Sequence, residues 1–233
     1  SKKTLIKRGQ ESFIVRGDFL SQKTKDLIST SYYKTGKQIT KINGKPISSR
    51  KDLIGRNNVV VLSPEEESIT KGPPENRRRF FDRMFSSVDK KYLDTLQKYN
   101  RALKQRNASL VRMNENRATR EEVLGWTEPV INHGIALWRG RTGFLFSYRE
   151  ILKRLMLFYG EEIGVDIVYK QKTITREEYR SVIKLAEHKD KVMGRTANGP
   201  HRDDIKVLWG KKPIKTFGSQ GEHKLSLVFL KLA

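Results

Sequence analysis

The stretch that decides the fold is the final one. It runs Gly199-Pro200-His201-Arg202-Asp203-Asp204, then Phe217-Gly218-Ser219-Gln220-Gly221-Glu222-His223-Lys224, and on to Ala233. Its second half reads as a glycine turn entering a helix, because Gly218 and Gly221 permit backbone conformations closed to other residues. Leu225, Leu227, Val228, Phe229, Leu230 and Leu232 give an apolar run too wide for a surface helix, which predicts a buried one. A serine between glycines at a helix N-terminus faces an anion with free backbone N–H groups and the positive end of the helix dipole. The same pattern also serves as an ordinary N-cap. Local sequence alone leaves both readings open.

Composition narrows the partners. The chain has 233 residues, enough for one large domain or two modest ones. Forty-eight Lys and Arg against 26 Asp and Glu give a formal net charge of +22. That excess favours a polyanion through phosphate contacts and counterion release. DNA, RNA and an anionic membrane surface all fit the charge. Cysteine is absent, so disulfides and thiolate metal sites are excluded. His133, His188, His201 and His223 show no metal-ligand spacing, and no metal site is expected. No apolar run is long enough to span a membrane.

Working back from the C-terminal stretch, residues 1 to 62 read as short strands. Phe13 to Phe19 is extended in character. Lys37 to Ile42 and Lys45 to Ile47 flank Asn43-Gly44, a two-residue hairpin signal. Val59-Val60-Val61-Leu62 reads as a strand buried on both faces. Ser63-Pro64-Glu65-Glu66-Glu67 stops it and suits a helix start. Gly72-Pro73-Pro74 should end one helix and begin the next.

From Arg77 to about Leu110 the period is helical. Tyr92, Leu96, Tyr99, Leu103 and Leu110 form one seam, with Arg106 in its polar slot. Val130, Gly134, Leu137, Arg141, Phe144, Tyr148, Ile151, Leu155 and Phe158 form a second. Two such seams joined by the polar stretch 114–119 predict an antiparallel helix pair. Gly164 to Tyr169 and Ile205 to Trp209 read as strands. Thr175-Arg176-Glu177-Glu178 is a capping-box pattern.

Taken together, GPHRDD at 199–204, FGSQGEHK at 217–224 and LVFLKLA at 227–233 resemble the C-terminal part of the RecF family. These are bacterial recombination-mediator ATPases related to SMC proteins and ABC-type ATPases. The Val-rich stretch with Ser63-Pro64-Glu65, the segment from Lys71 to Asp82, Lys104-Gln105-Arg106-Asn107 and the region from Trp126 to Gly134 resemble it as well. The resemblance implies an α/β fold, a P-loop NTPase-like lobe of ABC/SMC type, with an inserted helical lobe. The implied organisation places ATPase-lobe strands in 1–62, the helical lobe with a short strand and helix in 63–195, and the rest of the ATPase lobe in 196–233.

The resemblance also implies a role for each motif. Ser219, Gln220 and Gly221 would form the signature turn that meets the γ-phosphate of ATP held by the opposite subunit. His201, Arg202 and Asp203 would support the site. Arg77, Arg78, Arg79, Lys104 and Arg106 are candidate DNA contacts. For the arginine triplet, a solvated face or ion pairs to Glu75 and Asp82 is the competing reading. The family pattern places Gln, then Gln or Lys, then Arg after the turn glycine, whereas Glu222, His223 and Lys224 stand here.

No Gly-x-x-x-x-Gly-Lys-[Ser/Thr] P-loop occurs in the sequence, and no apolar strand ends in paired acids. Asp203-Asp204 lacks the preceding apolar residues. The expectation is therefore an internal piece of a longer protein, with no complete catalytic set and no cofactor of its own. The parent would use ATP and Mg2+, form an ATP-dependent homodimer, and bind duplex DNA and duplex–single-strand junctions. RecR- and RecO-type mediators would be its partners in repair, replication and the SOS response. It would be cytoplasmic and nucleoid-associated, with no membrane. A non-catalytic basic nucleic-acid-binding module and an SMC-like scaffold are the alternatives.

Overall fold

A computed structural model of the chain describes residues 2–20, 25–49, 52–54, 56, 60–61, 63–160, 164–170 and 174–233. Two compact units divide it, Ser1–Asn58 and Val59–Ala233.

The first unit is an antiparallel meander. Strands β1 (Ser12–Leu20), β2 (Lys25–Tyr33), β3 (Gln38–Ile42) and β4 (Lys45–Pro46) pair in that order. Asn43 and Gly44 close the β3–β4 hairpin with φ of 50° and 82°, as the Asn-Gly pair requires. Asn43 also reaches across to β2, taking the Leu27 N–H on its side-chain oxygen at 2.8 Å. Asp26, almost wholly buried, accepts from Arg56 Nε at 2.5 Å and from Asn43 Nδ2 at 3.1 Å. A stacked Phe13–Tyr32 pair joins β1 to β2, 4.9 Å between ring centres.

Val60 and Val61 lie in no strand and are more than half exposed, so the expected buried strand does not form there. Among the described residues they have no ladder partner. Val59 and Leu62 lie outside the described residues.

In the second unit a 3-10 turn at Pro64–Glu67 leads into α1 (Ser68–Lys71). Gly72 ends α1, and Pro74 starts α2 (Pro74–Val88) at its first helical position, where no N–H is missed. The helical period after Arg77 is split, because Asp89 leaves helical geometry and its carboxylate caps α3 (Lys90–Asn114). Thr119 caps α4 (Arg120–Tyr159), 40 residues and about 60 Å long at 1.5 Å per residue. Helices α3 and α4 lie side by side, joined by 115–119.

The α3 seam holds, with Tyr92, Tyr99, Arg106 and Leu110 buried. The α4 seam holds as far as Arg141 and again at Tyr148, but slips by a position on either side of it. Leu145, Tyr148 and Leu152 are buried, whereas Ile151 and Phe158 are exposed. A 3.6-residue helix drifts against a fixed four-three count, and over 40 residues the drift moves the stripe by a position.

Strands β5 (Val165–Tyr169), β6 (Ile205–Trp209) and β7 (Lys212–Pro213) form a second antiparallel sheet in that order. Between β5 and β6 come α5 (Arg176–Leu185), opened by the Thr175–Glu178 capping box, and α6 (Glu187–Met193). The chain closes through α7 (Ile214–Phe217) and α8 (Gln220–Leu232). Helices α2, α4 and α8 pack on this sheet through Phe81, Ile131, Leu152, Val165, Ile205 and Leu230. Edge-on ring contacts among Phe81, Phe85, Tyr92, Phe144 and Tyr148 fill the junction of α2, α3 and α4. Among the described residues no helix is long and apolar enough to cross a membrane.

Candidate functional site

The turn before α8 is built by a close approach and a cap. Helix α7 ends at Gly218, where a Cβ would stand 2.6 Å from the Ile214 carbonyl oxygen and 2.5 Å from its side chain. Only glycine fits that contact. Its φ is −76°, so the need is for space, and the expected special backbone conformation is not used. Gly221 likewise has no positive φ; it lies in the first turn of α8 with open space where a side chain would be.

Ser219 is the N-cap. Its Oγ accepts from the Glu222 N–H at 3.3 Å, and the Glu222 carboxylate accepts from the Ser219 N–H at 2.6 Å. This backbone bond, with the Ser219 side chain, holds the Glu222 carboxyl below its ordinary pKa. Gln220 and Gly221 are exposed at the first helical positions, where an N–H has no carbonyl within the helix to meet. The turn therefore presents two free backbone N–H groups and the Ser219 hydroxyl proton to solvent, with one carboxylate beside them.

Helix α8 behind the turn is half buried, contrary to the all-round burial expected. His223, Ser226, Leu227, Phe229 and Leu230 face α1, α4 and β5, while Lys224 and Leu232 are exposed. The Tyr148 hydroxyl donates to the Leu230 carbonyl at 2.6 Å and satisfies one carbonyl of its last turn. His223 is buried, its Nδ1 has no hydrogen-bond partner among the described residues, and burial lowers its pKa.

The GPHRDD segment is a clasp. Gly199 has a φ of +145°, a region open to glycine, and a Cβ there would stand 2.5 Å from the Tyr179 hydroxyl. A 3-10 turn at Pro200–Arg202 follows. His201 Nε2 lies 3.0 Å from the Thr196 carbonyl, so it carries the proton and donates. Nδ1 then accepts from the Tyr99 hydroxyl at 2.7 Å. Burial holds the His201 pKa below its ordinary value and keeps the ring neutral.

Asp203 Oδ2 accepts from Tyr169 Oη at 2.6 Å, Trp138 Nε1 at 2.8 Å and Arg141 Nη1 at 2.9 Å. Arg141 is 2% exposed and spends its other donors on Asp82, at 3.0 Å to each oxygen, and on the Pro200 carbonyl. Asp204 takes a two-pronged bond from Arg77 at 2.8 and 3.1 Å. Both acids are thus engaged by arginines of the helical region.

Among the basic candidates, Arg77 is buried on Asp204, and Arg78 is half-buried, donating to the Asp203 carbonyl. Arg79 is exposed and reaches Glu75 at 2.5 Å. Lys104 is exposed. Arg106 is buried and donates to Thr127 at 3.0 Å, Asp190 at 2.8 Å and Thr196 at 2.6 Å. Its neighbour Asn107 accepts the Thr196 N–H at 2.9 Å, so Arg106-Asn107 fixes the loop that leads into Gly199. Sequence reading missed Asp82, Arg141, Tyr99 and Asp190 as members of this framework. A charged residue inside an apolar stripe was the available signal for Arg141.

No protein-family model matches the chain. The DNA replication and repair protein RecF of Lachnoclostridium phytofermentans is 35% identical over 194 residues, 82% of this chain and 53% of that protein. RecF of Bacteroides fragilis is 33% identical over 230 residues, 98% of this chain and 61% of that protein. The solved structure of the recombination mediator protein RecF-ATP in the RecFOR pathway superposes with a TM-score of 0.86 at 25% identity. That match covers 100% of this chain and 65% of the other. The chain thus spans a little over half to about two thirds of the length of these relatives, and its α/β architecture with a helical lobe is that of the matching part of RecF. By sequence along nearly its whole length and by the course of its backbone, the chain belongs to the RecF family.

Proposed function

We propose that this chain is the part of a RecFOR-pathway recombination mediator that senses ATP on a second subunit during DNA replication and repair. The observation that carries the proposal is the turn at 219–221. The Ser219 hydroxyl and the free Gln220 and Gly221 N–H groups stand exposed at the N-terminus of a 13-residue helix whose opposite face is packed in the core. Such an end stabilises a phosphate through direct N–H bonds and the helix dipole. In this reading ATP and Mg2+ are held by a neighbouring copy, in segments that RecF has and the matched region leaves out. Ser219 then donates its hydroxyl proton to a γ-phosphate oxygen while the Gly221 N–H reaches another. Closing the dimer clamps DNA, and hydrolysis releases it.

His201 and Asp203 support the turn at a distance by fixing the β6 entry between α2, α4 and α5. The DNA contacts in this reading are exposed basic groups such as Arg79 and Lys104, and binding rests on phosphate neutralisation by a chain of net charge +22. RecR- and RecO-type mediators are the protein partners.

The test is DNA-stimulated ATP hydrolysis by the full-length protein and its Ser219→Arg variant. Retained ATP binding with turnover lost supports trans-sensing. Equal turnover in both would make Ser219 a helix cap alone, and the basic nucleic-acid module would then be the better reading.

A further inference from the structure

Within GPHRDD, the flanking side chains are occupied by the fold and one is left over. His201 is held by Tyr99 and Thr196, Asp203 by Trp138, Arg141 and Tyr169, and Asp204 by Arg77. Arg202 between them is exposed, and among the described residues no hydrogen bond or ion pair holds its guanidinium. It stands at the rim of a cavity of about 220 Å³. The wall is mostly apolar and aromatic: Trp138 and Tyr179, packed edge to face at 4.7 Å, with Ile174, Val182 and Gly199. Asp203 lines it too, its charge already met by Trp138, Tyr169 and the Arg141 guanidinium. Asn198 completes the lining, its carbonyl accepting from the Tyr179 hydroxyl at 3.2 Å.

The cavity's shape and chemistry select a class of ligand. Small-molecule sites run about 300–1,000 Å³, so this cavity is too small for a nucleotide and suits one large apolar side chain. The indole N–H and tyrosine hydroxyl that a base would hydrogen-bond are already spent on Asp203 and the Asn198 carbonyl. With Asp203 neutralised by its own partners, the free donor group at the cavity is the Arg202 guanidinium fork, which matches a carboxylate. An apolar floor with a charged rim is also the layout of an anchor pocket in a protein interface.

We propose that this cavity is a peptide-docking site, in which a partner protein inserts an aromatic or branched side chain against Trp138 and Tyr179 while an adjacent Asp or Glu pairs with Arg202. This inference does not rest on the ATP-sensing reading. Docking places a partner on the clasp that joins α4 and α5 to β6, so partner binding and the packing of the helical lobe become linked.

The test uses the full-length protein and three fluorescein-labelled hexapeptides, Gly-Ser-Phe-Asp-Ser-Gly and the same peptide with Ala for Phe or Asn for Asp. Fluorescence anisotropy should show binding of the Phe-Asp peptide, weaker by about tenfold or more for either altered peptide. Arg202→Ala should erase the preference for Asp over Asn. Val182→Trp, which fills the cavity, should erase the preference for Phe over Ala, with unfolding curves of both variants confirming the fold. No measurable binding of the Phe-Asp peptide would overturn the proposal. So would equal binding of all three peptides, or preferences that survive both substitutions. A loss confined to oligonucleotide binding in Arg202→Ala would assign the residue to DNA instead and overturn it as well.

Discussion

Arg106 and Asp190 face each other across 2.8 Å with 2% and 1% of their side chains exposed, the most deeply buried ion pair among the described residues. They lie 84 residues apart in sequence and lock α3 to α6, just before the loop that carries Gly199. Thr127 and Thr196 accept further protons from the same guanidinium, and the Ala197 N–H donates to the other Asp190 oxygen. A buried ion pair satisfied on all sides is costly to break from one side only, because the surviving charge keeps its desolvation penalty. Arg106→Ala should lose about 3–5 kcal/mol of unfolding free energy in urea, while the double variant Arg106→Met with Asp190→Leu should lose far less. Equal losses would show that packing around α3, rather than charge, dominates.

Gly199 gives a backbone prediction. Its φ is +145°, and a Cβ added there would meet the Tyr99 and Tyr179 hydroxyls at 2.6 and 2.5 Å, which leaves no room for alanine. Gly199→Ala should destabilise the chain by about 3 kcal/mol or more, from strain and overpacking together. Adding Tyr179→Phe should recover part of the loss in thermal melts. A neutral Gly199→Ala would contradict the geometry of the clasp.

His201 makes stability depend on pH. Burial lowers its folded pKa below the ordinary value near 6.5, so the unfolded chain binds the proton more readily. The contribution is complete above about pH 6.5 and is lost as pH falls through the depressed folded value. His133 and His223 are shifted the same way, also first by burial. The melting temperature should fall between about pH 7.5 and 5.5. His201→Gln should start lower at the upper end of that range and show a shallower fall. An unchanged slope would mean that the His201 ring is not held neutral.

Glu222 places a negative charge beside the free N–H groups of the α8 turn. Glu222→Gln keeps a side-chain oxygen for the Ser219 N–H and removes the charge. It should lower the melting temperature slightly through the lost charge–dipole interaction. In ATP-dependent assembly it should lower the ATP concentration needed, because an incoming phosphate no longer meets a like charge. Weaker assembly in the variant would assign Glu222 a direct role in binding.

The basic candidates divide by burial. Lys104→Ala and Arg79→Ala should weaken DNA binding evenly across sequences, and each lost phosphate contact should reduce the salt slope by about 0.9. Arg77→Ala leaves Asp204 without its partner and should unfold the chain before it changes the slope. A salt slope unchanged in both Lys104→Ala and Arg79→Ala would place the DNA elsewhere.

Local chemistry was the legible part of this sequence. Asn43-Gly44, Gly72-Pro73-Pro74 and the Thr175–Glu178 box each act within a few residues, and each stands where its pattern places it. Strand β2 was not legible on its own, since Lys25 to Tyr33 mixes polar and apolar residues and takes its order from pairing with β1 and β3. The break at Asp89 was hidden because the apolar period continues across it. At the site, Ser219 was legible as a cap, and its spacing to Glu222 already held the capping box. The uses of Arg77, Arg106 and Arg141 were not legible. Their partners lie 127, 84 and 59 or 62 residues away, and a single sequence does not bring them together.

The most direct test of the central claim is sedimentation velocity of the full-length protein with ATP and Mg2+, run on the wild type and on Ser219→Arg after ATP binding has been verified for both. If the turn at 219–221 meets the phosphates of a second subunit, the wild type sediments as a dimer with ATP and the variant stays monomeric while still binding ATP. A variant that dimerises as readily as the wild type would contradict the account.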